Sequence, residues 1–223
     1  MKILSFLAAI AVFSLPAAAQ KTKTELDMER QGLVDVSEAV PGVKVSLMYG
    51  RADNFTGRVL YTDLRRAYLH PEAARALRKA QKELRRLRPD LCLKVYDAAR
   101  PMSVQQKMYD VVKGTPKNIY VSNPRNGGGL HNYGLAVDIT LCRAETGDTL
   151  PMGTLIDHLG REAHVKAEEE MVRSGRLAIR ERENRRLLRR VMAAGGFRVL
   201  PTEWWHFNLR TRAEARARYK VIR

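Results

Sequence analysis

The chain has 223 residues, with 40 Lys and Arg against 24 Asp and Glu for a net charge of +16, 45% hydrophobic residues and only 2 Cys. The apolar content excludes a disordered polyelectrolyte, two cysteines in so long a chain exclude a disulfide-framework miniprotein, and the length suits a single domain with its own core. The charge invites a nucleic-acid reading, but residues 65–88, 161–190 and 210–223 carry the whole excess, so a site built from the neutral segments is expected to stand apart from them.

Met1 and Lys2 precede an apolar run from Ile3 to Leu15, then Pro16, Ala17, Ala18 and Ala19. This pattern predicts a secretory signal peptide over residues 1–19, because the run is shorter than the ~20 apolar residues that span a bilayer. The expected location is therefore periplasmic or secreted, with no stable membrane anchor after cleavage. Export, and the lack of a basic motif interleaved with aromatics, remove nucleic acid as a partner. In such a compartment Cys92 and Cys142, both in strand-like stretches, either form the one available bridge or remain two buried thiols.

A polar leader over 20–33 is followed by short strand-like pieces between Val34 and Met48, broken at Pro41-Gly42. Pro71 opens a helical pattern in which Ala74, Leu77, Ala80, Leu84 and Leu87 recur at spacings of three and four, with Pro89 ending it; its Arg and Lys are a solvated face. Leu91, Leu93 and Val95 predict a strand running into Asp97-Ala-Ala-Arg-Pro101. Ser103 and Gln106 read as a capping box for the next helix. After the loop at 122–129, a strand from Gly134 sets Leu135, Val137, Ile139 and Leu141 against Ala136, Asp138 and Thr140 on its other face. A helix is predicted from near Asn184 with Gly195 just past its end, then a last apolar element over 201–209 and a basic tail over 210–223. Strands and helices mix without a βαβ rhythm, so the expected class is α+β: one domain with a central, mainly antiparallel sheet flanked by helices.

Two segments carry chemistry. His131 lies in a glycine-rich loop seven residues before Asp138, a carboxylate on an otherwise apolar strand that needs a cation or metal nearby. Glu203-Trp-Trp-His206 sets a carboxylate directly before two tryptophans, whose apolar wall raises its pKa toward that of a working base. Two histidines and an aspartate make the ligand set of a catalytic zinc site with one open position, with Glu203 as base. If Glu203 also ligated, four ligands would close the site and make it structural. No H-E-x-x-H helix is present.

These segments resemble the zinc D-alanyl-D-alanine dipeptidases, the type associated with vancomycin resistance and cell-wall peptide recycling, within the larger group of zinc D,D-carboxypeptidases. The resemblance runs from about Asp35 to Leu209 through Asp53-Asn-Phe-Thr-Gly57, Asp97-Ala-Ala-Arg-Pro101, His131-Asn-Tyr-Gly-Leu-Ala-Val-Asp138, Met152-Gly-Thr-Leu-Ile-Asp157 and Glu203-Trp-Trp-His206, in the family's order. It implies a catalytic domain over 34–209 that binds one Zn2+ per chain through His131, Asp138 and His206. It further implies Glu203 as catalytic base, Arg100 as oxyanion stabiliser, Asp157 as the group holding the substrate's ammonium, and Tyr49 in the pocket wall. The implied partners are D-Ala-D-Ala or related short cell-wall peptides. The alternatives are a D,D-carboxypeptidase or endopeptidase acting on intact muropeptides, and a non-catalytic zinc-stabilised binding module. One departure stands out: where the family usually has serine two residues before the first histidine, this chain has Gly129.

Overall fold

The structure, a computed structural model, describes residues 20–223; the predicted signal peptide over 1–19 lies outside the described residues. The segment read as a polar leader holds helix α1 (Lys23–Arg30), closed by a reciprocal capping box between Thr22 and Glu25. Glu25 is buried, and its Oε1 accepts the backbone N–H groups of Arg65 and Arg66, which fastens the leader to the body.

Next come β1 (Val34–Asp35), α2 (Val36–Ala39), β2 (Lys44–Val45) and β3 (Tyr68–Leu69). Helix α3 (Pro71–Leu87) has proline in its first turn and buries Ala74, Leu77, Ala80 and Leu84, as their spacing predicts. Strand β4 (Leu91–Asp97) is followed by α4 (Met102–Val112). The expected capping box at Ser103 and Gln106 does not form. The helix starts at Met102, whose N–H donates 2.9 Å to the Ile222 carbonyl, so the chain's own C-terminal segment replaces the side-chain cap.

Strand β5 (Ala136–Arg143) is buried on both faces. After α5 (Glu168–Arg173), α6 (Ile179–Ala194) begins five residues before the expected Asn184. Its first turn is exposed, so apolar periodicity is missing there. The start is set instead by Glu181, which accepts the Ala178 N–H at 2.9 Å. At its other end Gly195 keeps right-handed backbone and Gly196 takes the positive φ of 94°, one residue later than expected. Gly195 is needed for another reason: a Cβ there would stand 2.5 Å from the Ala76 carbonyl oxygen of α3. Strands β6 (Arg198–Leu200) and β7 (Glu203–Asn208) and helix α7 (Arg212–Arg218) complete the chain.

The central sheet has the order β2-β4-β5-β7-β6, with every pair antiparallel except β2 with β4. The architecture is thus the expected α+β fold. Helices α3 and α6 cover one face, where Leu77, Leu84, Leu188 and Val191 share a core with Val137, Ile139 and Leu141 of β5. The alternate residues of β5, Asp138, Thr140 and Cys142, point to the opposite face, which carries the chemistry. None of the helices among the described residues is long and apolar enough to cross a membrane.

Candidate active site

Strand register builds the site's core. Asp138 of β5 lies directly opposite His206 of β7, and opposed residues of an antiparallel pair project to the same face. On the other flank of β5 the register shifts between Val95 and Asp97, and this irregularity brings Asp97 opposite Asp138. His131 reaches in from a 3-10 turn over Leu130–Tyr133.

One ligand atom each from His131, Asp138 and His206 lies within 4.8 Å of the others, the arrangement of a group able to hold a metal ion. Backbone and side-chain bonds fix which nitrogen each imidazole offers. His131 Nδ1 is 2.6 Å from the Ala98 carbonyl and so carries the proton, leaving Nε2 to face His206 Nδ1 at 3.2 Å. His206 Nε2 donates to Asn208 Oδ1 at 2.9 Å, leaving Nδ1 free toward Asp138 Oδ1 at 3.0 Å. Three inward lone pairs of N, N and O type, with both histidines oriented from behind, fit a zinc-like cation. Sequence reading found the three residues but not their supports, because Ala98 acts through its backbone and Asn208 belongs to no motif.

Glu203 stands beside this triangle, its Oε2 4.0 Å from His206 Nδ1, and is not among the three converging ligands. Its Oε1 is buried with no hydrogen-bond partner among the described residues. Burial pushes its pKa up to about 8, helped by the charges of Asp138 and Asp157 and opposed by His206 and Arg100. Trp204 and Trp205, which follow Glu203 on β7, are both buried.

Arg100 is held rigidly. Its Nε and Nη2 donate to Asp97 Oδ2 at 2.9 and 2.5 Å, and its Nη1 donates to Gln105 Oε1 at 2.9 Å. Three of five N–H donors are thereby engaged, leaving one on each terminal nitrogen at the cavity wall. Burial works against its charge, but Asp97, Tyr49, Tyr61 and Asp138 together outweigh it and hold the guanidinium well above its ordinary range. The salt bridge to Asp97 and a place in the cavity are therefore both real. Asp97 is itself fixed by Tyr61, whose hydroxyl donates to Oδ1 at 2.5 Å.

Asp157 is the only non-glycine among the described residues with positive φ, at 65°, a conformation that costs energy and is sustained here by its surroundings. Tyr49 Oη donates to its Oδ1 at 2.9 Å, while Oδ2 is buried without a partner among the described residues. Burial, then the Asp138 charge, raise its pKa to about 7. The Met152–Asp157 loop is tied down at two points: Trp204 Nε1 donates to Thr154 Oγ1 at 2.7 Å, and buried Arg185 donates to the Met152 carbonyl at 2.7 Å. In the Asp53–Gly57 segment, Asn54 clamps the Arg51 and Arg58 carbonyls, which presents Phe55 edge-on to Tyr49.

Tyr49, Arg100, His131, Asp138, Asp157, Glu203 and His206 all line one cavity of about 390 Å³, so the sequence-predicted site residues are brought together. Three histidines are elsewhere: His70 caps α3, His158 pairs with Glu162 and His164 meets Tyr120. The expectation that basic stretches stand apart from the site is corrected, since Arg210 and Arg212 of the tail line the cavity together with Arg198. The tail folds back as α7, and Ile222 N–H donates to the Asn132 carbonyl beside His131. At Gly129 an added Cβ would come 3.0 Å from Ser122 Oγ, so a hydroxyl from a neighbouring segment occupies that space.

Cys92 and Cys142 face each other in the β4–β5 register with sulfurs 3.1 Å apart, as two free buried thiols. Burial and the neighbouring Cys92 push the Cys142 thiol up to about 12.

A family profile described as D-Ala-D-Ala dipeptidase, of the peptidase M15 group, matches residues 29–222. The chain is 34% identical over 177 residues to D-alanyl-D-alanine dipeptidase of Escherichia coli K12, covering 79% of this chain and 84% of that protein. It is 30% identical over 194 residues to the D-alanyl-D-alanine dipeptidase of Enterococcus faecium, covering 80% of this chain and 92% of the relative. With a His-Asp-His cluster, a desolvated glutamate and a fixed arginine around one cavity, and a match across nearly all the described residues, the chain belongs to the M15 family of D-Ala-D-Ala dipeptidases.

Proposed function

We propose that this chain is an exported, zinc-dependent D,D-dipeptidase that hydrolyses D-Ala-D-Ala or a closely related short peptide in cell-wall metabolism. The observation that carries the reading is the convergence of His131, Asp138 and His206 with Glu203 and Arg100 on a single buried surface. His131 Nε2, an Asp138 oxygen and His206 Nδ1 would hold the ion, which when bound supplies a Lewis acid and a lowered pKa for water.

The protein's own groups account for the remaining chemistry. Glu203, desolvated and with Oε1 unpartnered, takes the proton of the attacking water and returns one to the leaving amine. Its raised pKa suits both halves of that exchange near neutrality. Arg100 directs its two remaining N–H donors at the oxygen that becomes negative, and Asp97 and Gln105 hold it so that no reorganisation is needed. Asp157, with its Oδ2 buried and its Oδ1 held by Tyr49, receives the free ammonium of the substrate. A carboxylate there supports short peptides with a free amino end over intact muropeptides, and the leader over 1–19 supports a periplasmic or secreted site of action.

The test is release of alanine from D-Ala-D-Ala and from L-Ala-L-Ala, each with and without chelator. Hydrolysis of the D,D isomer that chelator abolishes and zinc restores is expected. Chelator-resistant hydrolysis, or equal rates on both isomers, contradicts the proposal.

A further inference from the structure

Arg198, Arg210 and Arg212 line the catalytic cavity, and none of them belongs to a motif with an assigned role. Their position follows from sheet order. Tyr49, which holds Asp157, follows the edge strand β2; Asp138 and His206 occupy β5 and β7; Arg198 lies on β6, the opposite edge. Arg198 is the registered partner of Asn208, and Asn208 lies two residues from His206 on the same strand face. Arg198 therefore projects on the metal-binding face, beyond the ligands and away from Asp157.

Arg212 reaches the same rim from α7. Its Nη2 donates to Ser122 Oγ at 2.7 Å, and the Ser122 carbonyl accepts Gln105 Nε2 at 2.8 Å. Since Gln105 also holds Arg100, one hydrogen-bonded chain links the rim to the oxyanion position. Arg210 is paired with Glu72. Neither Arg198 nor Arg212 has a carboxylate within ion-pair distance among the described residues. The cavity is thus polarised, with a carboxylate at one end, the ligands and base in the middle, and guanidinium groups beyond them. Glu203, the group that would protonate the leaving amine, is in register with Leu200 of β6, so the leaving residue lies on the arginine side.

We infer that Arg198 and Arg212 form a carboxylate subsite that receives the free C-terminal carboxylate of the leaving residue. Guanidinium groups suit this role because their planar donors match a carboxylate's two oxygens. The inference rests on the dipeptidase reading for the direction of the bound peptide, and it narrows the substrate class to peptides with an unblocked C-terminus. The polarity across the cavity selects zwitterions of one length, since ammonium and carboxylate must reach opposite ends together.

The test is calorimetric binding of D-Ala-D-Ala and of its C-terminal amide to zinc-loaded Glu203→Gln, alone and combined with Arg198→Ala and Arg212→Ala. Both arginines are exposed, so their removal leaves the fold intact. The acid is expected to bind Glu203→Gln at least about tenfold more tightly than the amide, the scale of a charge-assisted pair. Removing both arginines is expected to abolish that preference while the amide's affinity stays within about twofold. Lysine at both positions is expected to restore part of it. A preference for the acid that survives in the double variant, equal binding of acid and amide, or no binding of either overturns the subsite. A preference that follows the arginines in a protein whose wild type hydrolyses neither peptide keeps the subsite and overturns the dipeptidase reading instead.

Discussion

His206 Nε2 donates to Asn208 Oδ1 at 2.9 Å, two residues along the same face of β7, and this single bond determines which imidazole nitrogen faces Asp138 and His131. Without it nothing holds the proton on Nε2, and a proton moved to Nδ1, beside Asp138 Oδ1, removes the lone pair that faces the other ligands. Asn208→Ala is therefore expected to weaken zinc binding by about 10- to 100-fold while leaving the fold intact, as removal of an outer partner of a metal ligand commonly does. Competition with a chromogenic chelator measures this. An unchanged zinc affinity shows that His206 is oriented by packing alone.

Asp157 makes stability depend on pH. Its carboxyl is raised from 3.8 to about 7 in the folded chain, so between those values the native state binds more protons than the unfolded state and stability falls as pH rises. The full penalty, on the order of 4 kcal/mol from the three-unit shift, is present above pH 7. Asp157→Asn keeps the acceptor for Tyr49 and removes the charge. In chelator-treated protein, its gain in melting temperature over wild type is expected to be small at pH 4 and large at pH 8. The same gain at both values contradicts an Asp157 carboxyl that ionises near pH 7.

Cys92 and Cys142 stand opposed on neighbouring strands with sulfurs 3.1 Å apart. A small movement closes them to the ~2.05 Å of a disulfide, yet a Cys142 thiol pushed up to about 12 offers little thiolate at neutral pH. The expectation is slow alkylation of the native reduced protein and closure under a mild oxidant. Closure appears as loss of two hydrogens by mass spectrometry and a raised melting temperature, on the order of 4 kcal/mol for so long a loop. Two thiols that still alkylate freely after oxidation contradict it.

Asp138 and Glu203 stood out as candidates because each lies in a short segment where its chemistry conflicts with its surroundings, Asp138 in an apolar strand and Glu203 directly before two tryptophans, whereas Arg100, Asp157 and Tyr49 were implied only by the family resemblance. The fold class was equally visible, since α3 and β4 show clean periodicity. What escaped the sequence acts at a distance along the chain. The Ala98 carbonyl and Asn208 orient the histidines without any compositional signal, and the first turn of α6 is too exposed to show a pattern. The tail misled most. A run of arginines reads as a solvated end, whereas the bonds of Ile222 to Met102 and Asn132 bring it back against the site.

The most direct test of the account separates metal binding from proton transfer at Glu203. Zinc content and D-Ala-D-Ala hydrolysis are measured on the same samples of wild type, Glu203→Gln and His206→Ala. The account predicts about one zinc per chain in the glutamine variant with hydrolysis reduced by at least about 10²-fold, the scale of general base catalysis, and loss of both zinc and activity in His206→Ala. A Glu203→Gln protein that hydrolyses the dipeptide at the wild-type rate, or that fails to hold zinc, contradicts it.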